Sequence, residues 1–238
     1  MICFGLLIYI DWPPKMYGGI EMLTKTMSEM KEIDRIAIDE RGVDSLWLME
    51  NAAAAAADLT AQKIAVGSTI TVLCGSGNNG GDGIAAARLL MRWGFTVHCI
   101  LCGKRERMTA DSLANEKRLN EIGGTLINAA DTDIPGLLCA SACVIDALFG
   151  VGLKRPLEGR FAEIVSQVNR CGAYVIACDL PSGLNGDTGE VMGAAIKAND
   201  TVTFSCAKPG LMAAGAEEYV GQLHIADIGI PKELLSGT

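Results

Sequence analysis

Histidine is scarce in this chain of 238 residues, in which only His98 and His224 occur. Two histidines leave little room for a histidine-based catalytic triad or for a metal site built from several histidines. Positive charge is also in deficit, because 20 lysines and arginines stand against 28 aspartates and glutamates, for a formal net charge of −8. Such an acidic chain is a poor candidate for binding nucleic acid or an anionic membrane.

Long hydrophobic runs are missing as well. The apolar stretch of residues 1–10 is too short to span a bilayer, and it has no basic segment or small-residue cleavage site of a signal peptide. We therefore expect residues 1–26 to be an extension outside the domain. Our hypothesis is an over-called start codon, with the native start at Met22 or Met27. We expect residues 27–238 to form one cytoplasmic domain.

Nine cysteines lie mostly in apolar, strand-like segments, for example Cys74, Cys178 and Cys206. Buried free thiols in a reducing cytoplasm explain this distribution better than disulfides do. The pair Cys99-x-x-Cys102 suggests a metal or redox site, but residues three apart on a strand face opposite sides of the sheet. We therefore expect no site at this pair.

The remaining chain alternates between short apolar strand-like segments and amphipathic helical segments. This alternation predicts a single α/β domain with a mostly parallel sheet that is covered by helices on both faces. In such sheets, ligands bind beyond the carboxyl ends of the strands. Reactive or ligand-binding residues at the ends of the predicted strands are therefore the candidates for a site.

Five glycines occur in the nine residues 75–83, between a predicted strand and a helix predicted to begin at Ile84. A glycine-rich turn of this kind lets backbone N–H groups and the positive end of a helix approach a phosphate. We therefore interpret the segment as a phosphate-binding turn. On this interpretation, Gly80→Val is expected to weaken ligand binding while leaving the fold largely intact.

The turn also has the spacing Gly75-x-Gly77-x-x-Gly80, which alone is a weak dinucleotide signal. A dehydrogenase would carry a ribose-binding acid at the end of the next strand, where this chain has Lys104 and Arg105. Those cations would tolerate a 2′-phosphate, although solvated surface charge explains them at least as well. A P-loop is excluded because the lysine and hydroxyl residue that end such a loop are missing.

Two aspartates, Asp146 and Asp179, end apolar predicted strands. One such aspartate would be a turn former or a helix cap, but two beside a phosphate-type turn favour a site. Paired carboxylates can divide acid and base work when their environments separate their pKa values. Asn79, Asp146 and Ser182 also offer oxygen ligands for a hard cation, and a single carboxylate suits a monovalent ion better than a divalent one.

The chain resembles the NAD(P)H-hydrate epimerases, the YjeF N-terminal domain family, over about residues 27–231. The resemblance is carried by several separate motifs in the family's order, which are Gly77–Gly83, Asp146–Gly150, Asp179–Gly183, Thr201–Phe204, Lys208–Gly210 and Asp227–Pro231. The segment Leu48–Ala52 fits as well.

The resemblance implies a Rossmann-like three-layer α/β/α sandwich, usually dimeric, with one bound potassium ion per subunit. It implies an isomerase of nicotinamide nucleotide repair. Its substrates would be the R and S hydrates of NADH and NADPH (NADHX and NADPHX), which carry a hydroxyl on the reduced nicotinamide ring. An ADP- or ATP-dependent dehydratase would act alongside it. No nucleic-acid or membrane partner is expected.

Carried over by motif, the potassium ligands are Asn79, Asp146 and Ser182. The positions that match substrate contacts are Asn78, Asn79, Gly80, Gly81, Asp82, Gly150, Val151, Gly152, Leu153, Lys154, Arg155, Pro156 and Asp179. We expect Asp179 to be the acid–base group and Asp146 to balance the charge of the cation as the second catalytic residue.

Two alternatives stay open at this point. The domain could serve as a non-catalytic scaffold or nucleotide-binding module, or as the epimerase part of a bifunctional epimerase and dehydratase. The intact Asn78–Asp82 run, both strand-end aspartates and the acidic charge argue against the scaffold.

Overall fold

The computed structural model describes the backbone of residues 7–10 and, in full, residues 23–236. The described strands are β1 Leu7–Ile10, β2 Thr69–Cys74, β3 Thr96–Leu101, β4 Leu126–Asn128, β5 Cys143–Ala147, β6 Tyr174–Cys178, β7 Asp200–Phe204 and β8 Gln222–Ala226. They form one sheet in the order β1-β8-β7-β6-β5-β2-β3-β4. Every hydrogen-bonded pair among β2 to β8 is parallel, and β1 is antiparallel to β8. The predicted mostly parallel sheet is confirmed.

Helices cover the sheet on both faces. The described α-helices are α1 Met27–Arg35, α2 Ser45–Lys63, α3 Asn78–Arg92, α4 Ala110–Glu121, α5 Ile134–Ala140, α6 Gly159–Val168, α7 Glu217–Val220 and α8 Lys232–Ser236. One apolar cluster joins α1 to α4 and α8 to the sheet, and a second cluster joins α5 and α6 to its other face. The three-layer α/β/α sandwich is therefore confirmed.

Strand β5 shows why the sheet needs both helical layers. Val144 packs in the cluster with α5 and α6, whereas Ile145 packs in the cluster with α2 and α3, and both are fully buried. Successive side chains on a strand point to opposite faces, and full burial of each contributes about 1.5–3 kcal/mol. Cys99 and Cys102 divide between the same two clusters, which confirms that this pair does not converge.

The connections change direction between β2 and β5. From β2 the chain moves outward through β3 to β4, and it then returns to the other side of β2 and continues through β5 to β8. This reversal leaves a crevice beyond the carboxyl ends of β2 and β5, where open α/β sheets bind their ligands. The topology thus fixes the place of the site.

Part of the N-terminal extension joins the domain, contrary to the expectation that residues 1–26 lie outside it. Strand β1 extends the sheet at β8. Lys25 N donates a hydrogen bond to Ala207 O at 3.0 Å, and Thr26 caps α1 through reciprocal contacts with Glu29. The over-called start stays a prediction, and Met22 lies outside the described residues.

Within the part of the chain that the structure describes, no helix combines the length and the apolar character needed to cross a membrane. The eight cysteines of that part are all free thiols. Cys74 and Cys99 approach each other with 3.7 Å between their sulfur atoms. The prediction of free thiols therefore holds for the described residues.

Candidate active site

The glycine-rich segment is a short turn that leads directly into a helix. Strand β2 ends at Cys74, and α3 begins at Asn78 with Gly77 as its N-cap. Since Gly77 has no side chain to cap the helix, the N–H groups of the first turn are left for another acceptor. An anion fits there, because the helix dipole also favours negative charge. The prediction that the helix begins at Ile84 is wrong.

The glycines inside α3 serve close packing. A Cβ atom on Gly80 would lie 2.0 Å from the carbonyl oxygen of Gly75, and one on Gly83 would lie 2.5 Å from Ala147 Cβ. The expectation that Gly80→Val leaves the fold intact is therefore wrong, because a branched side chain has no room against that backbone. Gly77 differs, since nothing lies within 4 Å of a Cβ built there.

A cavity of about 930 Å³ opens at the carboxyl ends of the strands. Its walls include the turn 75–79, the loop 148–153 after β5, and the pair Asp179 and Lys208. Helix α2 contributes a further wall that is apolar except for Ser45, and α1 adds charged side chains, Lys31 and Asp34, beside Met30. The cavity therefore combines a phosphate-type turn with an enclosed polar end, as a small-molecule site requires.

Asp179 follows β6 and forms an ion pair inside the protein. Its Oδ1 accepts hydrogen bonds from Lys208 Nζ at 2.5 Å and from Thr203 Oγ1 at 3.2 Å. Lys208 is only 1% exposed, and its ammonium also donates to Thr203 Oγ1 and to the Phe204 carbonyl oxygen. Asp179 has a φ of 66°. This left-handed conformation is uncommon for a residue other than glycine and concentrates at functional sites.

Two further carboxyl groups line the cavity near this pair. Burial raises the pKa of Asp34 to about 6, aided by the charge of Asp179 and opposed by Lys208. Burial, followed by the charges of Asp179, Asp34 and Asp111, raises the pKa of Asp82 well above its ordinary value. The cavity thus holds a carboxylate that is paired with a lysine, beside two carboxyl groups whose pKa values are raised.

Asp146 and Ser182 contact each other behind the cavity wall. Ser182 Oγ donates to Asp146 Oδ1, and Ser182 N donates to Asp146 Oδ2, each at 2.7 Å. Phe149 N donates in turn to Ser182 Oγ at 2.9 Å. Burial raises the pKa of Asp146 to about 6, while the hydrogen bonds from Ser182 and Leu148 lower it. This contact fixes the loop after β5 against the loop after β6.

Asn79 faces the polar end of the cavity with an unsatisfied amide. Among the described residues, neither its Oδ1 nor its Nδ2 has a hydrogen-bond partner, although both atoms are buried. The point where a Gly150 Cβ would lie is 3.3 Å from Asn79 Oδ1 and 3.1 Å from Asp179 Oδ2. Because Gly150 has no side chain, the oxygens of Asn79 and Asp179 both face the space that a Cβ atom would fill. A buried unpaired amide is costly and calls for a ligand.

The structure separates the predicted substrate contacts into two groups. Those that line the cavity are Asn78, Asn79, Asp82, Gly150, Val151, Gly152, Leu153 and Asp179. Those that do not line it are Gly80, Gly81, Lys154, Arg155 and Pro156. Of the predicted cation ligands, Asn79 lines the cavity, and Asp146 and Ser182 lie behind its wall.

Sequence reasoning missed Asp34 and Lys208 as cavity residues. Lys208 belongs to one of the motifs that carried the resemblance, but a lone sequence does not show that a lysine is buried. Asp34 lies between Ile33 and Arg35 on an amphipathic helix, and nothing in that pattern marks it as a cavity residue. Arg107 also lines the cavity, whereas the sequence pattern pointed to Arg105, two positions earlier.

The strand order, with a glycine turn and a helix N-terminus at the reversal point, defines a Rossmann-like α/β protein with a nucleotide-type site. Residues 45–210 match the family described as YjeF-related protein N-terminus. The chain belongs to this family.

Relatives match most of the chain. It is 36% identical over 217 residues to a protein of Rhodopirellula baltica named NAD(P)H-hydrate epimerase, covering 91% of this chain and 88% of that one. It is 39% identical over 202 residues to a protein of the same name from Limosilactobacillus fermentum, covering 85% and 95%. A bifunctional NAD(P)H-hydrate repair enzyme Nnr of Thermofilum pendens is 39% identical over 217 residues, but the chain spans only 41% of its length.

A solved structure supports the fold independently. The crystal structure of the yeast protein ynu0, YNL200c, superposes with a TM-score of 0.72 and covers 80% of this chain and 83% of that one. Since the two sequences are 22% identical, this likeness concerns the fold alone.

Proposed function

We propose that the protein is an isomerase of nicotinamide nucleotide repair that interconverts the R and S forms of NADHX and NADPHX. The observation that carries the proposal is the buried pair of Asp179 and Lys208. The pair lines the same cavity as the N-terminus of α3 and as Asp82, whose carboxyl has a raised pKa. Relatives named NAD(P)H-hydrate epimerase, matched over 88% and 95% of their lengths, support the same reaction.

The dinucleotide would lie across the crevice. Its phosphates would contact the free N–H groups at the start of α3, and its hydrated nicotinamide would reach the polar end at Asn79, Gly150 and Asp179. The apolar side chains of α2 would cover the ring and exclude water. Exclusion of water strengthens the electrostatic effect of nearby charges on the reacting carbon.

The chemistry needs a proton to move and no transfer of electrons. The hydrate carbon bears both a hydroxyl and the ring nitrogen. Once an acid protonates the hydroxyl, the lone pair of the nitrogen expels it as water. Asp82, with its raised pKa, holds a proton for this step. When water adds to either face, the oxonium that it forms loses its proton to Asp179 and becomes the new hydroxyl. Transfer of that proton back to Asp82 through water restores both carboxyl groups for the next turnover. Positioned acid–base groups contribute roughly 10²–10⁴-fold to such a rate.

We also propose one potassium ion per subunit, held by Asn79, Asp146 and Ser182. The unpartnered amide oxygen of Asn79 supports this, as does the direct contact that holds Asp146 and Ser182 together. The proposed donors are one carboxylate and two neutral oxygens, a set that suits an alkali-metal ion. When bound, the ion would supply positive charge close to the substrate hydroxyl.

The cellular setting is part of the proposal. We propose a cytoplasmic homodimer that works alongside an ADP- or ATP-dependent dehydratase. The half-exposed apolar side chains of Trp47, Leu113 and Ile122 support self-association, and the bifunctional relative supports the link to a repair partner.

The test is a coupled assay on a mixture of R and S hydrates with a dehydratase that consumes only the S form. With this protein present, the whole mixture should be consumed. A scaffold lacking activity would leave the R form to convert only at the spontaneous rate, and this outcome would refute the proposed reaction.

A further inference from the structure

The position of the adenosine ribose follows from the sheet topology. In a Rossmann-like sheet the pyrophosphate lies at the glycine turn after the first strand, and the ribose lies at the carboxyl end of the neighbouring second strand. Here the glycine turn follows β2, and β3 is the parallel neighbour of β2 on the side away from β5. The ribose of a bound dinucleotide therefore falls at the segment that follows β3, residues 102–109.

This segment is fixed directly against the phosphate turn. Ser76 Oγ donates to the carbonyl oxygen of Lys104 at 2.9 Å, and Thr109 N donates to Ser76 O at 3.2 Å. A Cβ on Gly103 would lie 2.0 Å from Ser76 Oγ, so glycine permits the close approach of the two segments. The backbone of Lys104 thus lies one hydrogen bond from the turn that would hold the pyrophosphate.

The cations of this segment differ in direction. Lys104 and Arg107 line the cavity. Arg105 turns away from it, because its guanidinium pairs with Glu116 and donates to Leu126 O at 3.2 Å. Within residues 23–236, no carboxylate lies within ion-pairing distance of Lys104 or Arg107. Two unneutralised cations therefore stand at the ribose position of an otherwise acidic chain.

The carboxylates of the segment do not replace the usual ribose-binding acid. Glu106 does not line the cavity. Asp111 does line the cavity, but it lies beyond the segment, in the first turn of α4. A ribose with two free hydroxyls would normally meet an acid at the strand end, whereas a 2′-phosphate would meet basic side chains.

We propose that Lys104 and Arg107 bind the 2′-phosphate of the adenosine ribose, so that the protein favours NADPHX over NADHX. This inference rests on the proposed function for the identity of the whole substrate. The phosphate subsite itself is independent of the reaction and can be tested without turnover.

The binding test uses 2′,5′-ADP and 5′-AMP as probes in calorimetry. The wild-type protein should bind 2′,5′-ADP more tightly, and Lys104→Ala and Arg107→Ala should each weaken that binding roughly tenfold or more while changing 5′-AMP binding less than about twofold. Arg105→Ala is the matched control, since it removes a cation of the same turn that faces away. The assignment of the subsite would be wrong if the wild type bound the two probes equally well. It would also be wrong if Arg105→Ala weakened 2′,5′-ADP binding as much as the other two variants.

The turnover test measures kcat/KM for both hydrates. The same two variants should lose roughly tenfold or more with NADPHX and little with NADHX. Equal losses with both hydrates would contradict the assignment. If no hydrate is epimerised but 2′,5′-ADP still binds preferentially and only through Lys104 and Arg107, the proposed reaction fails and the phosphate subsite stands.

Discussion

Lys208 Nζ lies 2.5 Å from Asp179 Oδ1, and the lysine is almost entirely buried. The two residues come from different loops at the carboxyl edge of the sheet, and the pair also holds Thr203 at the end of β7. A buried ion pair is retained only where its partners are well placed, since losing one partner leaves an uncompensated charge. The ion pair therefore contributes to the stability of the fold and also places a carboxylate in the cavity.

Lys208→Met tests the coupling within this pair. Methionine keeps the volume but leaves the Asp179 carboxylate without its cation, so the free energy of unfolding should fall by about 3–5 kcal/mol. Adding Asp179→Asn removes the unpaired charge and should restore part of that loss. Urea unfolding of both single variants and the double variant measures this. Strictly additive losses would show that the two side chains are not coupled.

Asp34 should make stability depend on pH. Its folded pKa, about 6, lies above the value of 3.8 for an unperturbed aspartate, so the folded state binds the proton more tightly. The stability it contributes is present below about pH 4 and is lost as pH rises through about 6. Asp34→Asn should therefore raise the free energy of unfolding by about 1–3 kcal/mol at pH 7.5, and little at pH 4. Exposed Asp39→Asn is the control, and the same gain at both pH values would rule out this role.

Potassium should stabilise the folded protein measurably. An ion that binds only the folded state raises the melting temperature with its concentration, and about 1 kcal/mol corresponds to roughly 2–4 °C for a chain of this size. We expect a rise in potassium chloride relative to lithium chloride at equal ionic strength. Asn79→Ala should abolish the difference, while the exposed neighbour change Asn78→Ala should preserve it. If Asn79→Ala keeps the full difference in melting temperature between the two salts, Asn79 is not a ligand of the ion.

Two glycines of the turn should behave differently. Gly77→Ala places its methyl in open space and should fold normally, but it should raise KM, because the methyl narrows the approach of a phosphate. Gly80→Ala drives its methyl onto the Gly75 carbonyl and should lower the melting temperature. Thermal unfolding and substrate titration separate the two effects. A stable Gly80→Ala protein would show that the contact with Gly75 relaxes easily.

The sequence predicted the parts of this structure that depend on local pattern. The alternation of segments indicated the parallel sheet, and the positions of Asp146 and Asp179 at strand ends indicated the edge on which the site lies. The start of α3 was mistaken because glycine is a poor helix former, whereas here Gly80 and Gly83 permit contacts with Gly75 and Ala147. Tertiary packing overrode local propensity.

Other features depend on contacts between distant residues and could not be predicted. The ion pair of Asp179 and Lys208 spans 29 positions, and Asp34 reaches the cavity only because α1 folds over the carboxyl edge. The short helices α7 and α8 carry too few residues for a periodic signal. Arg107 lines the cavity, whereas Arg105 points away from it toward Glu116, and the sequence around the two arginines does not show this difference.

The most direct test of the central claim is the rate at which a purified S hydrate loses its stereochemical purity, followed by NMR with wild-type protein and with Asp179→Asn in parallel. The account predicts rapid formation of the R/S mixture by the wild type and a rate at least about 10²-fold lower in the variant. Inversion by the wild type no faster than the spontaneous reaction, or equal rates for the two proteins, would contradict it.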